Sequence, residues 1–147
     1  MRVDVDAKFD PDKVIRVYAE INKSATNLKP VFEWAREELR KTYIDHFLSN
    51  GGGTWKPLDP EYGSWKASRY PGAPTLIRTG GLFESVSKLE IDEINDMSAR
   101  FGTNAEVAKF HQYGTWSMPK REIIFEPPMF AKKLAKKIAN HVERKVD

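Results

Sequence analysis

Apolar side chains recur at helical spacing through the first third of the chain, and this pattern constrains the fold more than any other feature. Between residues 11 and 28, and again after Pro30, they are three or four positions apart, which places them on one face of a helix. Pro30 interrupts the pattern because it removes a backbone N–H, and the glycines at 51–53 end it. The sequence therefore predicts a helical region over residues 11–48, either one long kinked helix or two consecutive helices.

A second helical pattern covers residues 129–146. Its apolar side chains, Phe130, Leu134, Ile138 and Val142, recur every four residues. Most of its basic side chains lie off that stripe, among them Lys132, Lys133, Lys136 and Lys137. Two interpretations of this basic face remain open. It is either the solvated side of a helix packed on the core, or a surface that contacts a polyanion without reading its sequence.

Between the helical regions, residues 82–126 alternate in the manner of short strands. Candidate strands cover 86–91, 97–101 and 122–125, and a short helix is predicted at 105–112. A length of 147 residues suits one domain. We therefore expect a single α+β domain over 1–147, with the N-terminal helical region and the C-terminal helix packed on a small, mainly antiparallel sheet of three to five strands.

The segment 49–81, here called the arm, has no hydrophobic period and holds seven of the nine glycines. It is longer than most loops in compact domains, yet it carries Trp55, Leu58, Tyr62, Trp65, Tyr70, Leu76 and Ile77. A flexible linker would not carry so much apolar surface. We predict an extended arm that the monomer holds loosely and that neighbouring subunits fix in the assembly, with the tryptophans as anchors.

Motifs for enzymatic chemistry are missing from the sequence. The chain has no cysteine, which excludes disulfides, thiolate zinc sites and a cysteine nucleophile. Its three histidines, His46, His111 and His141, form no metal-binding pattern, and the acidic residues are not linked into a pair by any motif. We therefore predict no catalytic residue, no cofactor and no metal.

Four separated stretches form a recognisable series: WKPL at 55–58, LIRTGGLFESV at 76–86, VAKFHQYGT at 107–115 and MPKR at 118–121, with Tyr62 and Trp65 after the first. In this order they resemble the phage virion morphogenesis family, the tail completion proteins of Mu-like phages and prophages. That family has W-x-P-L, L-x-x-T-G-x-L-x-x-S, Y-A-x-x-H-Q-x-G and M-P-x-R segments after a long helical region. Val107 and Glu122 depart from its pattern.

The resemblance implies a structural bacteriophage protein for tail completion or head–tail joining at the neck. It would act by assembly, as a ring-shaped homo-oligomer that contacts other tail and connector proteins. The expected location is the host cytoplasm during assembly and then the virion. The predicted interface residues are Trp55, Leu58, Tyr62, Trp65, Leu76, Thr79, Leu82, His111, Trp116, Met118 and Arg121.

Two of these side chains have more specific expected roles. His111 would be a polar anchor at the end of a short helix. Arg121 would bind with its guanidinium fork either to a carboxylate or to free backbone carbonyls. If the ring has a lumen, Lys132, Lys133, Lys136 and Lys137 would face passing DNA.

Two other functions are weighed against this one. The first is a small basic nucleic-acid-binding module, with the lysines on phosphates and Trp55, Trp65 or Trp116 stacked on bases. The second is a hydrolase acting on cell walls, for which the sequence offers no placed catalytic pair.

Overall fold

The computed structural model describes residues 16, 23 and 25–143. Within these residues the chain forms five helices and one two-stranded antiparallel sheet, an α+β fold as predicted. The elements, in chain order, are α1 (Lys29–Leu48), α2 (Pro60–Arg69), α3 (Gly81–Ser87), β1 (Ile91–Ile94), β2 (Ala99–Gly102), α4 (Ala108–Tyr113) and α5 (Phe130–Glu143).

Helix α1 begins immediately before the proline that interrupts the sequence pattern. Residues 25 and 26 are helical, Asn27 and Leu28 are not, and the helix restarts at Lys29. Of the two alternatives, consecutive helices therefore fit the described residues, because the Pro30 ring suits a first helical turn and not an interior one. Most of the predicted region before residue 25, and residues 144–146 of the predicted C-terminal helix, lie outside the described residues.

The core forms around one face of α1. Its buried side chains recur every four residues and are Val31, Ala35, Leu39, Tyr43 and Phe47. Val86, Leu89, Ala108 and Ile123 pack against the last three of these. Phe47, Val86, Leu89 and Ile123 are fully buried, so the last turn of α1 is the centre of the core.

The hairpin is shorter than predicted and begins later. Ile91 pairs with Gly102 and Ile94 with Ala99. The prediction of a strand from residue 86 is wrong, because Val86 belongs to α3 and is fully buried there. The chain leaves that helix through Leu89, which has a positive φ of 52° and points its side chain into the core.

The predicted third strand at 122–125 is not a strand, because side chains take the hydrogen bonds that a neighbouring strand would supply. Gln112 Oε1 accepts from the backbone N–H groups of Ile123 and Ile124, both at 2.9 Å, and Gln112 Nε2 donates to the Ile124 carbonyl. Three further side chains donate to carbonyls of this segment: His46 and Trp55 to Glu122, and Tyr43 to Phe125. The sheet is therefore limited to two strands within the described residues.

Helix α5 packs on α1 and not on the sheet, which corrects the predicted layer arrangement. The Trp34 and Phe130 rings stack in parallel with centroids 6.4 Å apart. At the other end, His141 Nε2 donates to the Asn27 carbonyl at 2.7 Å. Strand β1 contacts α1 as well, so α1 is the element on which the others assemble.

The arm contains regular structure and is held by its own chain. It includes the ten-residue helix α2, which starts at Pro60 with Asp59 as its N-cap; the Asp59 carboxylate accepts from the N–H groups of Glu61 and Tyr62. The prediction of an extended, loosely held arm is therefore corrected. Its sequence shows no period because only a short helix and several turns form there, and single polar contacts fix them.

None of the helices in the described ranges combines the length and the apolar character needed to cross a bilayer.

Candidate functional site

A cleft of about 700 Å³ lies between α2, residues 74–82, α4 and residues 117–121. Eight of the eleven interface residues predicted from the sequence line it: Leu58, Tyr62, Leu76, Thr79, Leu82, His111, Met118 and Arg121. They come from three regions of the sequence, residues 58–62, 76–82 and 111–121. The fold brings them to one concave surface with mixed apolar and polar lining, which is the usual character of a binding site.

Lys66 forms one wall of the cleft and fastens α2 to the chain that follows it. Its side chain is almost fully buried, at 4% exposure, and Nζ donates to the carbonyls of Pro74 and Thr75. Burial lowers the pKa of Lys66, and the positive charges of Arg78 and Arg121 lower it further. Both causes act against the charged form of the ammonium group.

Arg121 closes the cleft from the other side. It is 5% exposed, and its Nε and Nη2 donate to the carbonyls of Lys56 and Pro57 at 2.8 and 2.9 Å. The sequence left two partners open for this guanidinium group, a carboxylate or backbone carbonyls. In the structure it binds backbone carbonyls. Burial lowers the pKa of the guanidinium group. These two bonds hold the start of the arm against the end of the sheet region.

His111 contributes both its backbone and its ring. Its carbonyl accepts from the Arg121 backbone N–H at 2.8 Å. Its Nδ1 is buried and has no hydrogen-bond partner among the described residues. Burial, with the nearby Arg121 charge, lowers the pKa of the imidazole below 6.5. The ring is therefore neutral at physiological pH and has a polar atom unused at the cleft.

Positive charge predominates in the cleft. Lys66, Arg78 and Arg121 line it, and Asp59 is the acidic residue among its lining groups. Asp59 is occupied as the cap of α2. In the part of the chain that the structure describes, no carboxylate lies within ion-pair distance of any of the three cations.

A tight turn beside the cleft displays Trp116. The backbone N–H of Thr115 donates to the Met118 carbonyl, Met118 N–H donates back to Thr115, and Thr115 Oγ1 accepts from the Ser117 and Met118 N–H groups. Trp116 lies at the tip of this turn and is 99% exposed. The turn is well determined by hydrogen bonds, so the indole is presented on a fixed support.

The other two predicted tryptophans differ in their surroundings. Trp55 is an anchor within its own chain, and its role at an interface stays a prediction: its Nε1 donates to the Glu122 carbonyl, and its ring meets Phe47 edge to face at 5.5 Å. Trp65 lies on the outer face of α2, stacked on Tyr62 at 5.7 Å and in edge contact with Tyr70. These three aromatic side chains, here called the α2 aromatic patch, are each 37–43% exposed.

The basic residues predicted to face DNA lie on α5, away from the cleft lining. Lys132, Lys133 and Lys136 are exposed. Lys137 lies over the Trp34 ring, with Nζ 5.1 Å from its centroid. Through this cation–π contact, Lys137 belongs to the interface between α5 and α1.

Three residues that matter to the site are not among the predicted interface residues. Arg78 is in the second stretch that carries the family resemblance and Lys66 follows Trp65, but no spacing in the sequence shows that they meet Arg121. Gln112 is next to His111, and its amide clamps residues 123 and 124. In the sequence, these three residues are visible only as polar or charged residues near apolar motif positions. That pattern does not distinguish a buried side chain from a solvated one.

Within residues 16, 23 and 25–143, no three histidine, aspartate or glutamate side chains are grouped so that they could hold a metal ion. Comparison of the chain with protein-family models, with curated proteins and with solved structures found no match.

Proposed function

We propose that this protein is a structural component of a phage virion, of the tail-completion or head–tail joining type, and that it acts by assembly. One observation carries the proposal. The four stretches that resemble the virion morphogenesis family supply seven of the predicted interface residues to one cleft, and Tyr62, which follows the first stretch, is the eighth. Residues that only maintain a fold would be distributed through the core, whereas these residues meet at a concave surface open to a partner.

The exposed aromatic side chains support an assembly role. The α2 aromatic patch adjoins the cleft at Tyr62, and the turn that displays Trp116, which is 99% exposed, adjoins it at Ser117 and Met118. Single exposed apolar residues are ordinary, but several large aromatic side chains near one cleft are typical of a protein interface. Aromatic side chains on a fixed support are also the residues that most often dominate binding energy.

In the proposed assembly, copies of the chain form a ring and contact other tail and connector proteins. A head-to-tail contact that closes under rotation produces such a ring. The protein would be made in the host cytoplasm and remain in the virion, at the tail end or the neck.

The experiment is an early stop codon in this gene within its phage or prophage, followed by electron microscopy of the lysate. We expect heads and tails that remain separate, and joined particles again when an intact copy is supplied from a plasmid. Normal infectious particles without the protein would contradict the proposal.

Nucleic-acid contact is the second candidate, and one observation favours it. Lys132, Lys133 and Lys136 are exposed on α5 without an ion pair to any described residue. Basic side chains of this kind attract phosphates without sequence readout, and the attraction weakens steeply as salt is added. Binding of a duplex and of a single-stranded oligonucleotide at increasing salt, with the triple Lys→Gln variant as control, tests it.

A further inference from the structure

The cleft holds buried cations that the described chain does not neutralise. Lys66 and Arg121 are 4% and 5% exposed, and each is bonded to two backbone carbonyls but to no carboxylate. Arg78 lies at the same cleft and is exposed. Carbonyl oxygens offset part of the desolvation cost of a buried cation, whereas an anion offsets it more fully.

A polar atom without a partner lies at the same place. His111 Nδ1 is buried without a hydrogen bond among the described residues, and its ring lines the cleft. A buried polar group without a partner has a free-energy cost, which a hydrogen-bonding group that reached it would remove. The cleft thus combines uncompensated positive charge with an unused polar atom.

We propose that this cleft binds a carboxylate side chain carried by an acidic, partly apolar peptide segment of a different virion protein. The carboxylate contacts Arg78 at the mouth of the cleft. The positive charges of Lys66 and Arg121, deeper in the cleft, attract it further. The flanking apolar side chains of the segment pack on Leu58, Leu76 and Met118. This inference rests on the proposed assembly function, for which it specifies one contact surface and the chemistry of the partner.

The shape and lining of the cleft favour a peptide over a nucleic acid. The buried cations line one cleft, which suits a single carboxylate, whereas a nucleic acid would be met by a longer open track of basic side chains. Several lining residues are aliphatic and would contribute nothing to phosphates. The α2 aromatic patch continues the surface beyond Tyr62, so a peptide of several residues has further apolar area to cover.

The experiment is selection of peptides from a random display library on the immobilised protein, followed by affinity measurement with synthetic versions of the selected peptides. We expect a shared Asp or Glu flanked by apolar residues. Replacing that residue with Asn or Gln should weaken binding on the order of tenfold or more, because the charge-assisted contact is lost.

The variant Arg78→Glu is the main test, because Arg78 is exposed and takes no part in the backbone-carbonyl bonds of Lys66 and Arg121. We expect it to weaken peptide binding at least tenfold, since it replaces an attractive contact with a repulsive one. Lys132→Glu is the matched control. It makes the same change of charge on α5, outside the cleft lining, and should leave peptide affinity unchanged.

Several results would overturn the inference. They are a selection without a shared acidic residue, equal binding to Arg78→Glu, or displacement of the peptide by millimolar inorganic phosphate or by an oligonucleotide of equal charge. Self-association of the protein that Arg78→Glu abolishes would assign the cleft to a second copy. The stop-codon experiment decides the assembly function separately. Separate heads and tails together with a failed peptide selection would therefore reject only the cleft assignment.

Discussion

At the scale of single residues, one amide side chain replaces a neighbouring strand. Gln112 bonds to both N–H groups at 123 and 124 and to the Ile124 carbonyl, and Ile123 beside these bonds is fully buried. The clamp satisfies backbone groups that would otherwise be buried without partners. Its position next to His111 links the core directly to the cleft.

We predict that Gln112→Ala destabilises the protein by roughly 2–4 kcal/mol, because it leaves several buried backbone groups without partners at once. Chemical denaturation followed by circular dichroism measures the loss. Lys109→Ala in the same helix is the control and should change stability by less than about 0.5 kcal/mol, since Lys109 is exposed. Equal effects of the two substitutions would show that the clamp does not stabilise the fold.

Gly114 has a geometry that no other residue type fits. Its φ is 72°, and an added Cβ would lie 2.9 Å from the Lys120 backbone nitrogen. At Gly53, φ is 82° but an added Cβ would meet nothing within 4 Å. We predict that Gly114→Ala costs about 2–4 kcal/mol and Gly53→Ala about 1 kcal/mol, because only the first adds a clash to the backbone strain. Thermal unfolding of the two variants in parallel distinguishes them, and similar shifts would refute the prediction.

His111 makes stability depend on pH in a defined direction. Because burial and Arg121 lower its pKa in the folded state, the unfolded chain takes up the proton first as the pH falls below 6.5. The free energy of unfolding should therefore decrease as the pH falls below 6.5. Urea denaturation between pH 7.5 and about 5 measures the slope, and His111→Gln should reduce it. An unchanged slope in the variant would contradict the assignment.

At the scale of elements, the arm is fastened at two places by cations bonded to carbonyls. Lys66 ties α2 to residues 74 and 75, and Arg121 ties residues 56 and 57 to the end of the 118–121 stretch. The Arg121 bonds span 65 and 64 residues and the Lys66 bonds span 8 and 9, and no hydrophobic period signals either pair. This explains why the arm was predicted to be loose while the two long amphipathic helices were predicted well.

We predict that Arg121→Ala makes the arm more accessible to trypsin, with faster cleavage after Arg69 and Lys66, because the bonds to Lys56 and Pro57 are lost. Mass spectrometry of timed digests identifies the cut sites. Lys120→Ala is the control, since that side chain is 59% exposed and its ion pair among the described residues is with Glu122. Equal cleavage rates in the two variants would show that Arg121 does not hold the arm.

At the scale of the whole molecule, α1 organises one side, and the cleft with its surrounding aromatic side chains forms another. The α+β class, the α1 and α5 helices and eight of the eighteen residues that line the cleft could be predicted, because helical periodicity and the ordered motifs are local features. The absence of a third strand, the packing of α5 on α1 and the contacts of Trp55 within its own chain could not be predicted. Each depends on a contact between distant residues, such as Gln112 with Ile124 or Trp34 with Phe130, that competes with local preference.

Substitution of Trp116 tests the proposed assembly function without a large effect on folding. We predict that Trp116→Ala changes the free energy of unfolding by less than about 0.5 kcal/mol, because its side chain is 99% exposed, while it reduces the recovery of joined particles in the plasmid complementation. Denaturation and phage titre are measured on the same variant. Thr54→Ala, a substitution away from the cleft lining, is a reference for the titre. Full recovery with Trp116→Ala would remove this indole from the interface.

The side-chain clamps on residues 122–125 have a consequence for how copies can meet. An extended segment with unpaired backbone groups is an open edge to which a strand of another molecule can add, in ordered assembly or in aggregation. Here His46, Trp55, Gln112 and Tyr43 occupy those groups from within the chain. Copies therefore cannot join by extending a sheet through this segment. Partners are therefore recognised by side-chain surfaces such as the cleft, through complementary charge and shape.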